Sequence, residues 1–137
     1  MNKQSTVTAI LPQDLKWNSI PALPKGVEVA NLLGDPNEKT VAPWAARIKF
    51  PANVKLMPHS HSDTRYLTVL SGTYYQGVSE RFDEKSARAF PPGSFLIVPA
   101  GVKHFVWAKE GEVIVQESGT SPSETIYVEQ PAQNETK

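Results

Sequence analysis

The chain has no cysteine. That excludes disulfide scaffolds, thiolate metal sites and cysteine nucleophiles, and it leaves the compartment open. It also has no net charge, since 14 Lys and Arg balance 14 Asp and Glu among 137 residues. A balanced chain has no global electrostatic footprint for nucleic acid or for an anionic membrane surface, so neither is expected as a partner. No apolar run approaches the roughly 20 residues of a membrane-spanning helix. Room for long helices is scarce, because 12 prolines are spread along the sequence. The opening stretch MNKQSTVTA lacks the apolar core of a signal peptide. As written, the chain is expected in the cytoplasm. An exported protein whose signal was trimmed and replaced by a new initiator Met stays open.

What is present is a series of short runs rich in β-branched and aromatic residues. Trp44 to Phe50 alternates, with Ala46, Ile48 and Phe50 on one face and Arg47 and Lys49 on the other, as in a half-buried strand. Further strands are predicted over 25–33, 53–57, 65–70, 73–78, 94–98, 103–107, 112–116 and 124–128. Ser71-Gly72 is a turn signal. Phe82 to Ala89 is the one plausible helical turn, with Asp83 as its cap. This pattern predicts an all-β chain, an antiparallel sandwich or barrel. The expected organisation is an N-terminal arm over 1–24, one barrel over 25–129 and a frayed polar tail over 130–137.

Three histidines are present, His59, His61 and His104. His59 and His61 stand at i and i+2, so in a strand both imidazoles reach toward one point. Three imidazoles from two neighbouring strands suit a divalent ion and leave positions open for substrate. An isolated His-x-His pair is weak evidence, and a lone strand histidine is more often a satisfied or surface residue.

The frame around these residues resembles the cupin family. Its first motif, G-x5-H-x-H-x3,4-E-x6-G, is met by His59, His61 and Gly72, with Asn53 in place of the opening glycine. Its second, G-x5-P-x-G-x2-H-x3-N, is met by Gly93, Pro99, Gly101 and His104, with Ala108 in place of the final asparagine. The stretches LLGDP, TVLSGTYYQG and GSFLIVPAGVKHFVW are similar to those of small single-domain bacterial cupins. The resemblance implies a jelly-roll cupin barrel (double-stranded β-helix). It implies a homodimer, with the outward apolar residues between Lys25 and Phe50 as the interface. It also implies one divalent metal ion (Fe(II), Zn, Mn or Ni) held by His59, His61 and His104. It implies a site rather than a reaction.

The sequence departs from the pattern at Arg65, which stands where most cupins carry a metal-binding glutamate. A guanidinium cannot ligate a metal. At about 5 Å it would be repelled by a divalent ion by several kcal/mol at an effective dielectric near 20. Three arrangements are compatible. Arg65 pairs with a carboxylate such as Asp63 or Glu80; the site binds metal weakly or not at all; or Arg65 clamps an anionic ligand against the metal. Asp63, or Tyr66 if the register slips, is a substitute ligand. Gln116 is a polar residue in an apolar strand, a candidate for hydrogen-bonding a ligand inside the barrel or for pairing with a neighbouring polar group. Phe105, Trp107 and Tyr75 are expected in the barrel wall.

Two functions follow. The first is a mononuclear metalloenzyme acting on a small, potentially anionic organic substrate, with Arg65 and Gln116 as catalytic candidates. Family resemblance favours dioxygenase chemistry, with Lewis-acid lyase or isomerase chemistry next. The second is a non-catalytic cupin that binds a small molecule at a weakened or empty metal site. No helix-turn-helix or basic patch points to DNA.

Overall fold

The computed structural model describes residues 6–129. The expected frayed tail and the first five residues lie outside that range. Eleven strands run through the described residues: β1 (Asn18–Ser19), β2 (Glu28–Leu33), β3 (Ala42–Phe50), β4 (Lys55–His61), β5 (Arg65–Ser71), β6 (Tyr74–Val78), β7 (Arg88–Phe90), β8 (Phe95–Val98), β9 (His104–Trp107), β10 (Val113–Ser121) and β11 (Thr125–Tyr127). They form two antiparallel sheets, β1-β2-β3-β10-β5-β8 and β11-β4-β9-β6-β7. Packed face to face, these make an antiparallel sandwich, as the spacing of the runs predicts, and a jelly roll, as the cupin resemblance implies. The helical turn shrinks to a 3-10 turn, Glu84–Ser86, and Asp83 does cap it, accepting from the Lys85 N–H at 3.1 Å. The residues just after it, Arg88–Phe90, form β7 instead.

The space between the sheets is graded. At one end lies an apolar cluster that includes Val27, Phe50, Leu56, Leu67, Val69, Tyr74, Val106, Val113 and Val115. Four strands carry this apolar floor up to a polar end. Leu56 is followed by His59 and His61 on β4, and Val106 is preceded by His104 on β9. Val69 and Leu67 are preceded by Arg65 on β5, and Val113 and Val115 are followed by Glu117 on β10. Alternation along a strand keeps such residues on one face. β3 obeys it: of the predicted face Ala46 and Phe50 are buried and Ile48 is half-buried, and Trp44 is buried with them.

β4 runs four residues beyond its predicted end at Met57 and changes phase on the way. Leu56 pairs with Val106, yet His59 pairs with His104, so β4 has one residue more than β9 between these pairs. The bulge falls at Met57-Pro58, and proline has no N–H to give a ladder there. Without it, an inward Leu56 would put Pro58 and Ser60 inside and turn both histidines out.

Asn53 has a φ of 75°. It occupies the position where the family motif has glycine, and asparagine is among the few other residues that enter the left-handed region readily. Gly72 has a φ of 77°, and a Cβ there would run into the Glu112 carbonyl.

Candidate metal centre

The three histidines meet as expected, two from β4 and one from β9, with His59 and His104 directly opposite each other. Ring centroids are 4.3 Å apart for His59–His104, 4.9 Å for His59–His61 and 5.4 Å for His61–His104. All three are buried, and their ligand nitrogens lie within 4.8 Å of one another. Atoms so spaced share a point no more than about 2.8 Å from each, against metal–nitrogen bonds of about 2.0–2.1 Å. A small inward adjustment would bring all three within bonding distance of one ion.

Each ring is tied at Nδ1. That of His59 meets the Met57 carbonyl at 2.6 Å and that of His104 the Val102 carbonyl at 3.0 Å. A carbonyl only accepts, so both rings carry their proton on Nδ1 and leave Nε2 as the free lone pair. Nδ1 of His61 meets the Thr125 hydroxyl at 3.1 Å, from β11. Burial lowers the pKa of His59 to about 4, and burial followed by the Arg65 charge lowers that of His61 to about 2. His104 is also lowered by burial. Neutral imidazoles, with Nδ1 of His59 and His104 held by carbonyls and Nε2 free, suit a nitrogen-ligating ion, so the residues present fit one.

Arg65 lines the same cavity as the histidines. Its guanidinium is already engaged: Nη1 donates to Glu117 Oε1 at 2.9 Å, Nη2 to Ser123 Oγ at 2.7 Å and Nε to Asp63 Oδ1 at 3.5 Å. The Trp44 ring lies 4.7 Å below it. Of the two carboxylates expected as partners, Asp63 is one, while Glu80 pairs with Lys103 at 3.3 Å. Asp63 is no substitute ligand, because Trp44 Nε1 and the Thr120 N–H, each at 3.0 Å, and the Ser123 hydroxyl also donate to it. Tyr66 points outward and stacks on Phe95.

Gln116 is not brought to the cavity. Its amide oxygen accepts from Arg47 Nε at 2.9 Å on the neighbouring β3, and its successor Glu117 is the residue that faces in. The predicted strand ended at Gln116, whereas β10 continues to Ser121. Continuing the alternation of Val113 and Val115 would have reached Glu117. Tyr75 and Trp107 also lie on the outer face, 6.1 Å apart between ring centroids, and the Tyr75 hydroxyl bonds Glu110. Phe105 is buried on that face, against Gly77 and the Phe82 ring. Tyr74 and Gln76 take the inward positions on β6.

The cavity measures about 660 Å³. Its wall is mostly apolar, with Leu23, Ile48, Leu67, Val98 and Ile126 among its members, and the three histidines at its polar end. A site of this size and character suits a small organic molecule.

The cupin family profile matches residues 25–134. No curated protein matches the sequence. Among solved structures, the polyketide cyclase RemF from Streptomyces resistomycificus is similar with a TM-score of 0.75 and 15% identity, covering 92% of this chain and 88% of that one. KdgF from a Halomonas species gives 0.65 and 18%, covering 84% and 94%. A structure of oxalate oxidase gives 0.58 and 20%, covering 80% and 59%.

Proposed function

The chain belongs to the cupin family, and from that premise we propose that it is a metal-dependent enzyme acting on a small organic substrate, with oxygenase-type chemistry. One observation carries the reading: three neutral imidazoles, each oriented through Nδ1, converge at the end of a cavity sized for such a substrate. His59, His61 and His104 would hold one divalent ion. Bound there with positions to spare, the ion would supply a site for dioxygen as Fe(II), or Lewis-acid polarisation of a substrate oxygen as Zn, Mn or Ni. Solved structures of similar fold include proteins named as a polyketide cyclase and an oxalate oxidase, which supports an enzyme without choosing its reaction.

This chain's own residues orient and enclose. The Met57 and Val102 carbonyls and Thr125 aim the rings. The apolar wall excludes water around the substrate. Asp63, Arg65 and Glu117 together carry one net negative charge, which would offset part of the charge that three neutral ligands leave on the ion.

The test is elemental analysis of protein purified without added metal. Near-stoichiometric Fe, Zn, Mn or Ni, lost in His104→Ala, is the expected result. A persistently empty site refutes the enzyme and favours the second reading, a non-catalytic ligand-binding cupin. That reading draws on Arg65 standing where most cupins place a carboxylate ligand.

A further inference from the structure

Two buried polar side chains of the cavity wall are not among the three candidate ligands, and each has an atom to spare. Glu117 is 9% exposed and Gln76 8%. Glu117 gives Oε1 to Arg65, and its Oε2 has no hydrogen-bond partner among the described residues. Gln76 accepts the Tyr74 hydroxyl at 2.8 Å on its oxygen, which leaves its amide nitrogen without a partner among the described residues. No fully buried side-chain nitrogen or oxygen among the described residues lacks a partner, so these two atoms are not sealed in. Both side chains line the cavity, so it is the space the spare atoms have within reach.

The pair spans the barrel, Glu117 from one sheet and Gln76 from the other. Burial, and then the Glu117 charge, push the Tyr74 pKa well above 10. The Tyr74 hydroxyl donates to the Gln76 oxygen, and the amide nitrogen is the end of Gln76 left over.

Charge completes the picture. Arg65 is the one cationic side chain lining the cavity, the three histidines being neutral, against Glu117 and Glu124. Its Nε, Nη1 and Nη2 already donate to Asp63, Glu117 and Ser123. Away from the three histidines, an incoming carboxylate finds no unpaired cationic side chain and meets a carboxylate oxygen instead. A hydroxyl finds an acceptor at Glu117, and a second oxygen finds a donor at Gln76.

We propose that the ligand of this cavity is a neutral, largely apolar molecule bearing a hydroxyl that donates to Glu117 and a further oxygen that accepts from Gln76. The proposal rests on the reading of this cavity as the ligand site, and it reverses the anion preference expected from Arg65 alone.

The test compares 2-naphthol with 2-naphthoate, binding to the full chain after treatment with a chelator at pH 7, followed by naphthyl fluorescence. The hydroxyl probe is expected to bind at least about tenfold more tightly. Equal affinities, tighter 2-naphthoate, or no binding of either probe overturns the proposal. Glu117→Gln removes the charge and keeps the shape, and it should narrow the ratio by about tenfold; an unchanged ratio also overturns it. The unmutated chain decides the matter even where that variant fails to fold. Adding a carbonyl, as in 6-acetyl-2-naphthol, should tighten binding further, and Gln76→Leu should remove that gain; a gain that survives Gln76→Leu removes Gln76 from the proposal. With metal absent, the two readings separate. Failure of the ratio beside near-stoichiometric metal in untreated protein strikes the ligand class alone, and the expected ratio beside an empty site strikes the metal alone.

Discussion

Replacing Arg65 by methionine isolates the energetics of the charge cluster at the mouth of the barrel. The Arg65 side chain is 12% exposed and that of Glu117 11%, so the pair is desolvated and its attraction is weakly screened. At an effective dielectric near 20, unit charges about 4 Å apart attract by about 4 kcal/mol. Arg65→Met removes that attraction and leaves Glu117 and Asp63 facing each other as unpaired buried carboxylates. The expected loss is about 3–5 kcal/mol, a large share of the roughly 5–15 kcal/mol that stabilises a domain. Lost stacking on Trp44 is included in it. Asp63 keeps its bonds from Trp44, Thr120 and Ser123, so the damage is concentrated at Glu117. The double variant Arg65→Met with Glu117→Leu should therefore return to within about 2 kcal/mol of the unmutated protein, since an ion pair exchanged for apolar residues is often near neutral. Urea unfolding at fixed protein concentration, with chelator present so that metal does not contribute, measures all three variants. If Arg65→Met loses less than about 1 kcal/mol, or if the double variant loses the sum of the singles, the cluster does not hold the mouth together as argued. Arg65→Glu would add a third carboxylate to the cluster and is a poor instrument for the same question.

Three further outcomes are expected. Metal-free protein should lose stability as pH falls from about 6.5 toward 4. The unfolded His59 takes up a proton near 6.5 and the buried one only near 4, so the unfolded state binds more protons across that window; the His59 share is about 3 kcal/mol, read by urea midpoints against pH. Gly72→Ala should cost about 1–3 kcal/mol, because the left-handed backbone and the Glu112 carbonyl both oppose a Cβ, whereas Asn53→Gly should stay within about 0.5 kcal/mol; thermal melts compare them. The chain should sediment as a homodimer, at twice 15.1 kDa, at micromolar concentration. Leu33 and Val41 are exposed in the stretch first expected at the interface, but Tyr66, Leu70, Phe95 and Ile97 form a larger apolar face on β5 and β8.

The histidine cluster was legible because all three histidines of the chain fall on motif positions, and because i, i+2 spacing has one meaning in a strand. The phase of each strand was harder to read. In β3 apolar and charged residues alternate, so its faces were evident. In β10 the run Val113-Ile114-Val115 is apolar on both faces, so alternation leads to Glu117 only once Val113 and Val115 are known to face in; the ladder with β5 decides it, pairing Glu117 with the buried Leu67. Tyr74 and Tyr75 pose the same ambiguity on β6. The bulge at Met57-Pro58 is a property of the pairing between β4 and β9, so neither strand's sequence announces it. The partner of Arg65 lies 52 residues away on β10, a separation that only the sheet order bridges.

The carbonyls that hold His59 and His104 belong to Met57 and Val102, each two residues earlier in the chain. For these two rings, tautomer and direction are therefore set by the backbone beside them, before any ion arrives. Much of the loss of freedom that metal capture imposes on a flexible chain thus falls within folding itself. Small zinc domains unfold when stripped of their ion. Here an extensive apolar floor extends beyond the histidines, so a chelator should take any bound ion and leave the barrel standing, ready to rebind. The identity of the bound ion would then follow from supply and ligand preference at the moment of loading, and one barrel could be exchanged among metals without being refolded.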